Sequence, residues 1–444
     1  MMANCRKVAC TATVSTITRR RPVLILLALV VSGFVAACTE DYQGGVACPA
    51  LCPEQNVVVF DTVFDPVELD TTITGFPTHG TETELLLARI GDSVDTRPVI
   101  RFDSLPIYYN SGSTAGDTII EVIDSPYVRL RINKAQSKFT QPVTFELFDV
   151  DTTTGDSAFA AQDTSTAIEK SLFRPDRLIG MATFDTAQIT DSIRIPIDSL
   201  TLLTKILNRE RLRVGIRVTS AAPVQIRIIA YEGGDAPILR FLPSADTSFD
   251  ALTVFPQSNV PRSQPTLRAD LTDYVHVIRF PPVPGGAVLT VGGIPGRRTL
   301  IRFNVPSRII DSSNVLRATL ELTQRPVPSV NDTAKLTIFP LIVTAGKHIT
   351  DVARSAFLTN APNAGFDSVQ FAPGDSGVRQ IEIVNALRAW SFQLSSPVQR
   401  AVVLRAGPES VDPRFVSFFS SEAAAHLRPR LRVSYSPVRT FGVP

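Results

Sequence analysis

Tryptophan occurs once in this chain, as Trp390, and histidine four times, as His79, His276, His348 and His426. So few imidazoles leave little material for histidine-based zinc sites or for a nucleophile held by a histidine base. Charged residues make up only 19% of the chain and form no basic block, so the electrostatic footprint of a nucleic-acid binder is missing. Long apolar runs are missing too. The longest, residues 23–37, spans 15 residues, short of the ~20 that cross a bilayer. Helical patterns between successive strand-like segments are also lacking, which excludes a parallel βαβ architecture. What remains is a chain rich in apolar residues, 44% of the total, enough to bury substantial cores.

The N-terminal stretch carries five basic residues (Arg6, Lys7, Arg19, Arg20, Arg21) and no acid before position 38. Without it, the formal charge of +2 becomes −3, from 39 basic and 42 acidic residues. A basic segment, a short apolar run and two alanines before Cys38 suit an export signal. The ending VAAC resembles the lipobox of bacterial lipoproteins. That resemblance implies cleavage after residue 37, diacylation of Cys38 and attachment to the membrane through acyl chains. Thr39 is not the aspartate associated with inner-membrane retention, so the resemblance implies the outer membrane of a bacterial envelope. Residues 38–56 are rich in Gly and Pro and read as a tether. Within it, Cys48 and Cys52 of CPALC are expected to close a small disulfide in an oxidising compartment. Free thiols are the alternative; no second Cys or His pair is near to complete a zinc site.

From residue 57 onward, short apolar runs alternate with Asp, Thr, Ser, Gly and Pro. Val128, Leu130 and Ile132, then Ile193, Ile195 and Ile197, then Val214, Ile216 and Val218, fall at period two, which places each set on one face of a strand. The series then recurs. RPVIRFDS (residues 97–104) returns as RTLIRFNV (residues 298–305), VTFELF (143–148) as KLTIFPL (335–341), and APILRFL (236–242) as RPRLRVS (428–434). The offset stays near 190–200 residues, too long for a solenoid unit. The expected fold is all-β: two tandem antiparallel β-sandwiches of jelly-roll type, residues 57–245 and 250–436, with a tail at 437–444. Each copy carries one helical insertion. In SLTLLTKILNRE, Asp198 is placed to cap the helix, and Leu200, Leu203, Ile206 and Leu207 share a face. In the second copy IVNALRAW ends in Trp390, which the pattern assigns to the core.

LTVGG, RTLIRFNV, RATLEL, IVNALRAW and, above all, FVSFFSSEAAAHLRPRLRVSYS (residues 415–436) resemble a DNRLRE domain. This β-sandwich family of secreted bacterial proteins includes a carbohydrate-binding module family. The resemblance covers residues 252–436, and the first copy is similar to a diverged relative that lacks the FSSE turn and an equivalent of Trp390. It implies non-catalytic binding of cell-surface or extracellular polysaccharide; a structural envelope spacer is the alternative reading.

Other motifs point to little chemistry. GDSG (residues 374–377) resembles a serine-protease nucleophile segment, but the equivalent TDSI (190–193) is a turn before a strand. DVDTTTGDS (149–157) has the carboxylate density of a calcium loop, yet Thr154 and Ala160 stand where an EF-hand needs Gly and Glu. The arginines at 129, 131, 213, 217, 430 and 432 read as solvated strand faces. No cofactor, metal or catalytic residue is expected. Loops that differ between copies, residues 108–117 and 360–375, are the expected places for ligand contacts.

Overall fold

The computed structural model describes residues 58–438 except 66, 77–79, 81, 111–116, 152–169, 245, 247–248, 259–271, 281–284, 328–333, 346–348, 362–364, 392–399 and 410. Cys38, Cys48 and Cys52, the expected lipidation site and disulfide, lie outside the described residues. Residues 58–444 form one compact unit. Among the described residues no helix is long and apolar enough to cross a membrane.

The strands are, in chain order, β1 (Phe60–Phe64), β2 (Val67–Gly75), β3 (Glu84–Ile90), β4 (Val94–Phe102), β5 (Tyr108–Asn110), β6 (Asp117–Ile119), β7 (Asp124–Arg131), β8 (Val143–Asp149), β9 (Leu178–Phe184), β10 (Ser192–Pro196), β11 (Leu212–Thr219), β12 (Val224–Ile229), β13 (Ile238–Leu242) and β14 (Leu252–Val254). There follow β15 (Asp273–Arg279), β16 (Val288–Gly292), β17 (Gly296–Phe303), β18 (Ser313–Arg325), β19 (Leu336–Ile342), β20 (Val369–Phe371), β21 (Gly377–Glu382), β22 (Ala401–Gly407), β23 (Phe415–Phe419) and β24 (Arg430–Pro437). Among the described residues the strands are interrupted by α1 (Ser199–Leu207), α2 (Ser307–Ile310), α3 (Val352–Leu358) and α4 (Val384–Ser391).

The fold is an all-β sandwich built twice. Sheet β12-β3-β4-β11-β8-β9 faces sheet β10-β7-β13-β14 across one core, and sheet β2-β17-β22-β19-β20 faces sheet β1-β24-β18-β23-β16 across another. Alternation does what it predicts: Val128, Leu130, Ile193, Ile195, Val214 and Ile216 are all buried in the first core. Each such side chain contributes about 1.5–3 kcal/mol on burial. The two copies also share register. Val99 pairs with Gly215 in the first, and the equivalent Leu300 pairs with Val403 in the second.

The edges are exchanged between the repeats. β14 and β15 follow the first copy in sequence and complete its sheets, pairing with β13 and β4. Their counterparts in the second sandwich are β1 and β2, from the N-terminal end, which pair with β24 and β17. The register confirms the equivalence: Asp273 lies opposite Ile100, and Asp70 opposite Ile301. Residues 57–245 and 250–436 therefore do not each close on themselves. The first sandwich keeps β14 and β15, and the second is completed from the opposite end of the chain. Side-chain periodicity reports which face of a strand is apolar; it is silent about which edge supplies the backbone partner.

The FSSE turn finds its role here. Asp70 of β2 accepts hydrogen bonds from the backbone N–H and the hydroxyl of Ser421, at 2.6 and 2.7 Å. In the first sandwich Asp273 of β15 accepts from the backbone N–H of Tyr231 at 2.8 Å. β2 and β15 are thus each pinned by an aspartate to the turn before the last strand of the sandwich they complete.

Asp198 caps α1 as expected, its carboxylate accepting from the Thr201 N–H at 2.8 Å. The expected apolar face shifts by part of a turn: Leu202 and Ile206 are buried, while Leu200 and Leu207 are exposed. Lys205 joins the buried side because Asp149 receives its ammonium at 2.8 Å, so the helix turns to bury that pair along with its leucine stripe. On α4, Trp390 is 3% exposed and sits in the second core.

Candidate functional site

The two sandwiches meet along an apolar seam of Leu86, Ala88, Val94 and Val277 from the first and Ile294 and Val411 from the second. Beside this seam opens a cleft of about 450 Å³, within the usual range of small-molecule sites. Its lining is polar. The first sandwich provides Glu84 at the start of β3, Asn133 and Gln136 after β7, and Arg227 on β12; the second provides Lys335, Thr337, Gln370, Asp412 and Arg414.

A chain of ion pairs forms the floor. Arg227 bridges the sandwiches, reaching Asp412 Oδ2 at 2.6 Å and Glu84 Oε2 at 3.3 Å. Asn133 donates to the other Glu84 oxygen at 2.6 Å. Arg414 grips Asp412 from the far side at 2.5 Å and donates to the carbonyl of Ala334 at 3.0 Å. Arg227 and Asp412 are both about 5% exposed. Buried charges persist only when paired in this way, and the pairing makes the floor rigid. The side chains of Gln136, Lys335, Thr337 and Gln370 make no hydrogen bond or ion pair among the described residues, so their donors and acceptors face the cleft uncommitted. Gln370 lies within the segment 360–375 that the sequence marked out as a loop, but on strand β20, opposite Thr337; the others carry no sequence signal, because they converge only through the seam.

The remaining sequence candidates are placed as follows. Ser376 sits in a turn before β21, its carbonyl accepting from Arg379, which also pairs with Asp375 at 3.0 Å. Asp149 and Asp151, the described carboxylates of the calcium-like loop, are held by Lys205 and by Arg211, each at 2.8 Å. Among the described residues no group of three or more His, Cys, Asp or Glu is placed to hold a metal. Arg129 and Arg131 both pair with Asp235, and Arg430 and Arg432 with Asp65 and Asp61. Arg213 departs from the expected solvated face. It is fully buried, bound to Asp103 at 2.9 and 3.0 Å, and Arg101 takes the same carboxylate at 2.6 Å. Those two guanidiniums hold the Asp103 carboxyl below the usual range against the opposing effect of burial.

No family model and no curated protein matches the chain. Among solved structures it is similar to capsids of infectious bursal disease virus. The T13 viral particle matches at 11% identity and a TM-score of 0.12, over 88% of this chain and 78% of that one. The Gt strain matches at 10% identity and 0.15, over 88% and 78%. At such scores the likeness has no bearing on fold or function.

Proposed function

We propose that the chain is a non-catalytic envelope lipoprotein that binds cell-surface or extracellular polysaccharide in the cleft between its sandwiches. In this reading it is a DNRLRE-like protein, anchored by lipid on Cys38 to the outer membrane. The observation that carries the reading is the pairing of a rigid, ion-paired floor with uncommitted amide, hydroxyl and ammonium groups from Gln136, Gln370, Thr337 and Lys335. Such planar and rotatable donors suit a ligand rich in hydroxyls, and the polar lining disfavours an apolar one. A glycan array probed with the full chain tests it, followed by titration calorimetry on any hit. Binding should weaken about tenfold in Gln370→Ala or Lys335→Ala. Silence across neutral and acidic glycans would leave the second reading, a structural spacer. One feature favours that alternative: β1 and β2 are built into the second sandwich, which ties the two sandwiches into one body.

A further inference from the structure

The outer face of β3, β4 and β11 carries a second cavity, of about 420 Å³, lined by Arg89, Arg97, Arg217, Val218, Thr219 and Ser220. It lies wholly on the first sandwich, away from the residues of the cleft. Three guanidiniums meet two carboxylates here. Arg97, 1% exposed, takes both oxygens of Asp95 at 3.0 and 2.8 Å, and Arg89 takes Asp95 with its Nη1 at 2.5 Å. Arg217 gives its Nε to Glu146 at 2.5 Å. The arrangement is braced from beneath by aromatic rings. Arg97 lies over Phe173 at 4.7 Å and Arg217 over Phe148 at 4.9 Å, and the two rings pack edge to face at 5.5 Å. Stacking of this kind orients a guanidinium while leaving its N–H edges available.

Several donors stay uncommitted. Arg89 keeps Nε and Nη2, Arg217 keeps both Nη groups, and the Thr219 hydroxyl makes no bond among the described residues; Arg89 and Arg217 are 35% and 30% exposed. We infer that this cavity is an oxyanion site for a sulfate or phosphate group. Among the described side chains that form it, three guanidiniums stand against two carboxylates, which favours an anionic ligand. Donors arriving from two arginines and a hydroxyl exceed what the two oxygens of a carboxylate accept, and match a tetrahedral anion. The volume greatly exceeds that of one such ion, which leaves room for a molecule that carries it as an ester.

The repeat supplies an internal control. The equivalents of Arg97 and Arg217 are Arg298 and Arg405, and there a single carboxylate joins the two. Glu409 receives both guanidiniums, and Arg298 donates on to the Val352 carbonyl at 2.9 Å and to the Ser355 hydroxyl. In the second sandwich one buried carboxylate ties the buried Arg298 to the part-exposed Arg405; in the first the equivalent arginines, Arg97 and Arg217, hold separate carboxylates and border a cavity.

The inference does not rest on the cleft reading. It is tested by calorimetry of the full chain, at constant ionic strength, with inorganic sulfate, dextran sulfate and uncharged dextran as probes. Arg217→Gln and Arg89→Gln should each weaken binding of a sulfate-bearing probe about tenfold, while Arg317→Gln, at an exposed arginine outside both the cleft and this cavity, leaves it unchanged. Arginine-dependent binding of inorganic sulfate alone assigns the site to a free anion; arginine-dependent binding of dextran sulfate assigns it to an esterified one. Binding unaffected by either substitution, or no binding of either sulfate probe, overturns the inference. Should Arg217→Gln fail to fold, as judged by circular dichroism, Arg89→Gln carries the test, because it leaves the Arg217–Glu146 pair in place.

Discussion

The two sandwiches solve the same problems with different degrees of completeness. In the second, Asp70 is satisfied by two donors from Ser421; in the first, Asp273 has a single donor, and its Oδ1 is buried without a partner. In the second, Glu409 joins the buried Arg298 to the part-exposed Arg405; in the first, the equivalent pair borders a cavity. The asymmetry also runs the other way. Thr96 of β4 accepts the Ala88 N–H at 2.9 Å, whereas its equivalent, Arg297 of β17, is fully buried, stacks on Phe415 at 4.7 Å, and has no hydrogen-bond partner for its Nε, Nη1 or Nη2. Burial alone pulls the Arg297 guanidinium down to about 10. Duplicated frames do not keep duplicated polar networks: apolar strand faces tolerate sequence drift, while each buried polar group must find its partner anew.

The largest effect should come from breaking the pair that Glu409 joins. Glu409→Gln leaves Arg298 buried and uncompensated, and should cost about 3–5 kcal/mol in denaturant unfolding. Arg217→Gln, whose arginine is part-exposed, should cost about 1 kcal/mol or less. Equal losses would show that the first site is structural as well.

Asp273 should behave in the opposite sense. Burial raises its carboxyl to about 7, with the nearby charges of Glu232 and Glu82 adding to the rise and the Tyr231 N–H opposing it. Between pH 4 and 7 the folded state holds this proton and the unfolded chain does not. The contribution of this group is therefore complete below pH 4 and is lost as pH rises through 7. Asp273→Asn should add up to roughly 4 kcal/mol at pH 8 and almost nothing at pH 4. Thermal unfolding across that range checks it, and a pH-independent gain would reject the assignment.

Asp70→Ala should lose about 2–3 kcal/mol, since it leaves the Ser421 N–H and hydroxyl without their acceptor and loosens β2 from the sandwich it completes. The same two aspartates, equivalent by register, are thus expected to have mutational effects of opposite sign. A gain of modest size is expected at Arg297. Replacing it with Met keeps the contact with Phe415 and removes a buried unpaired cation, for a gain of about 1–3 kcal/mol in unfolding free energy measured by denaturant titration. A loss there would mean that the guanidinium stabilises more through the ring than it costs in desolvation.

Much of the fold was legible because it is written locally. The alternation of Val128, Leu130 and Ile132 needs no distant partner to be read, and neither does Asp198 three residues before the N–H it caps. The apolar face of α1 was read a fraction of a turn away, because Asp149, which draws Lys205 inward, lies 56 residues upstream. Arg213 read as solvated for a similar reason: its carboxylate, Asp103, is 110 residues away. The cleft was the least legible part. Arg227 and Asp412 are separated by 185 residues, and neither belongs to a motif.

By itself, then, the sequence determined the strand class, the duplication and the core-facing residues, since hydrophobic burial is sampled at every second position along a strand. Only the tertiary structure decided that the N-terminal strands complete the second sandwich, that Asp412 reaches Arg227, and that one of two arginine pairs borders a cavity. Those outcomes depend on backbone hydrogen bonds and ion pairs between residues far apart in the chain, whose partners are set by tertiary geometry.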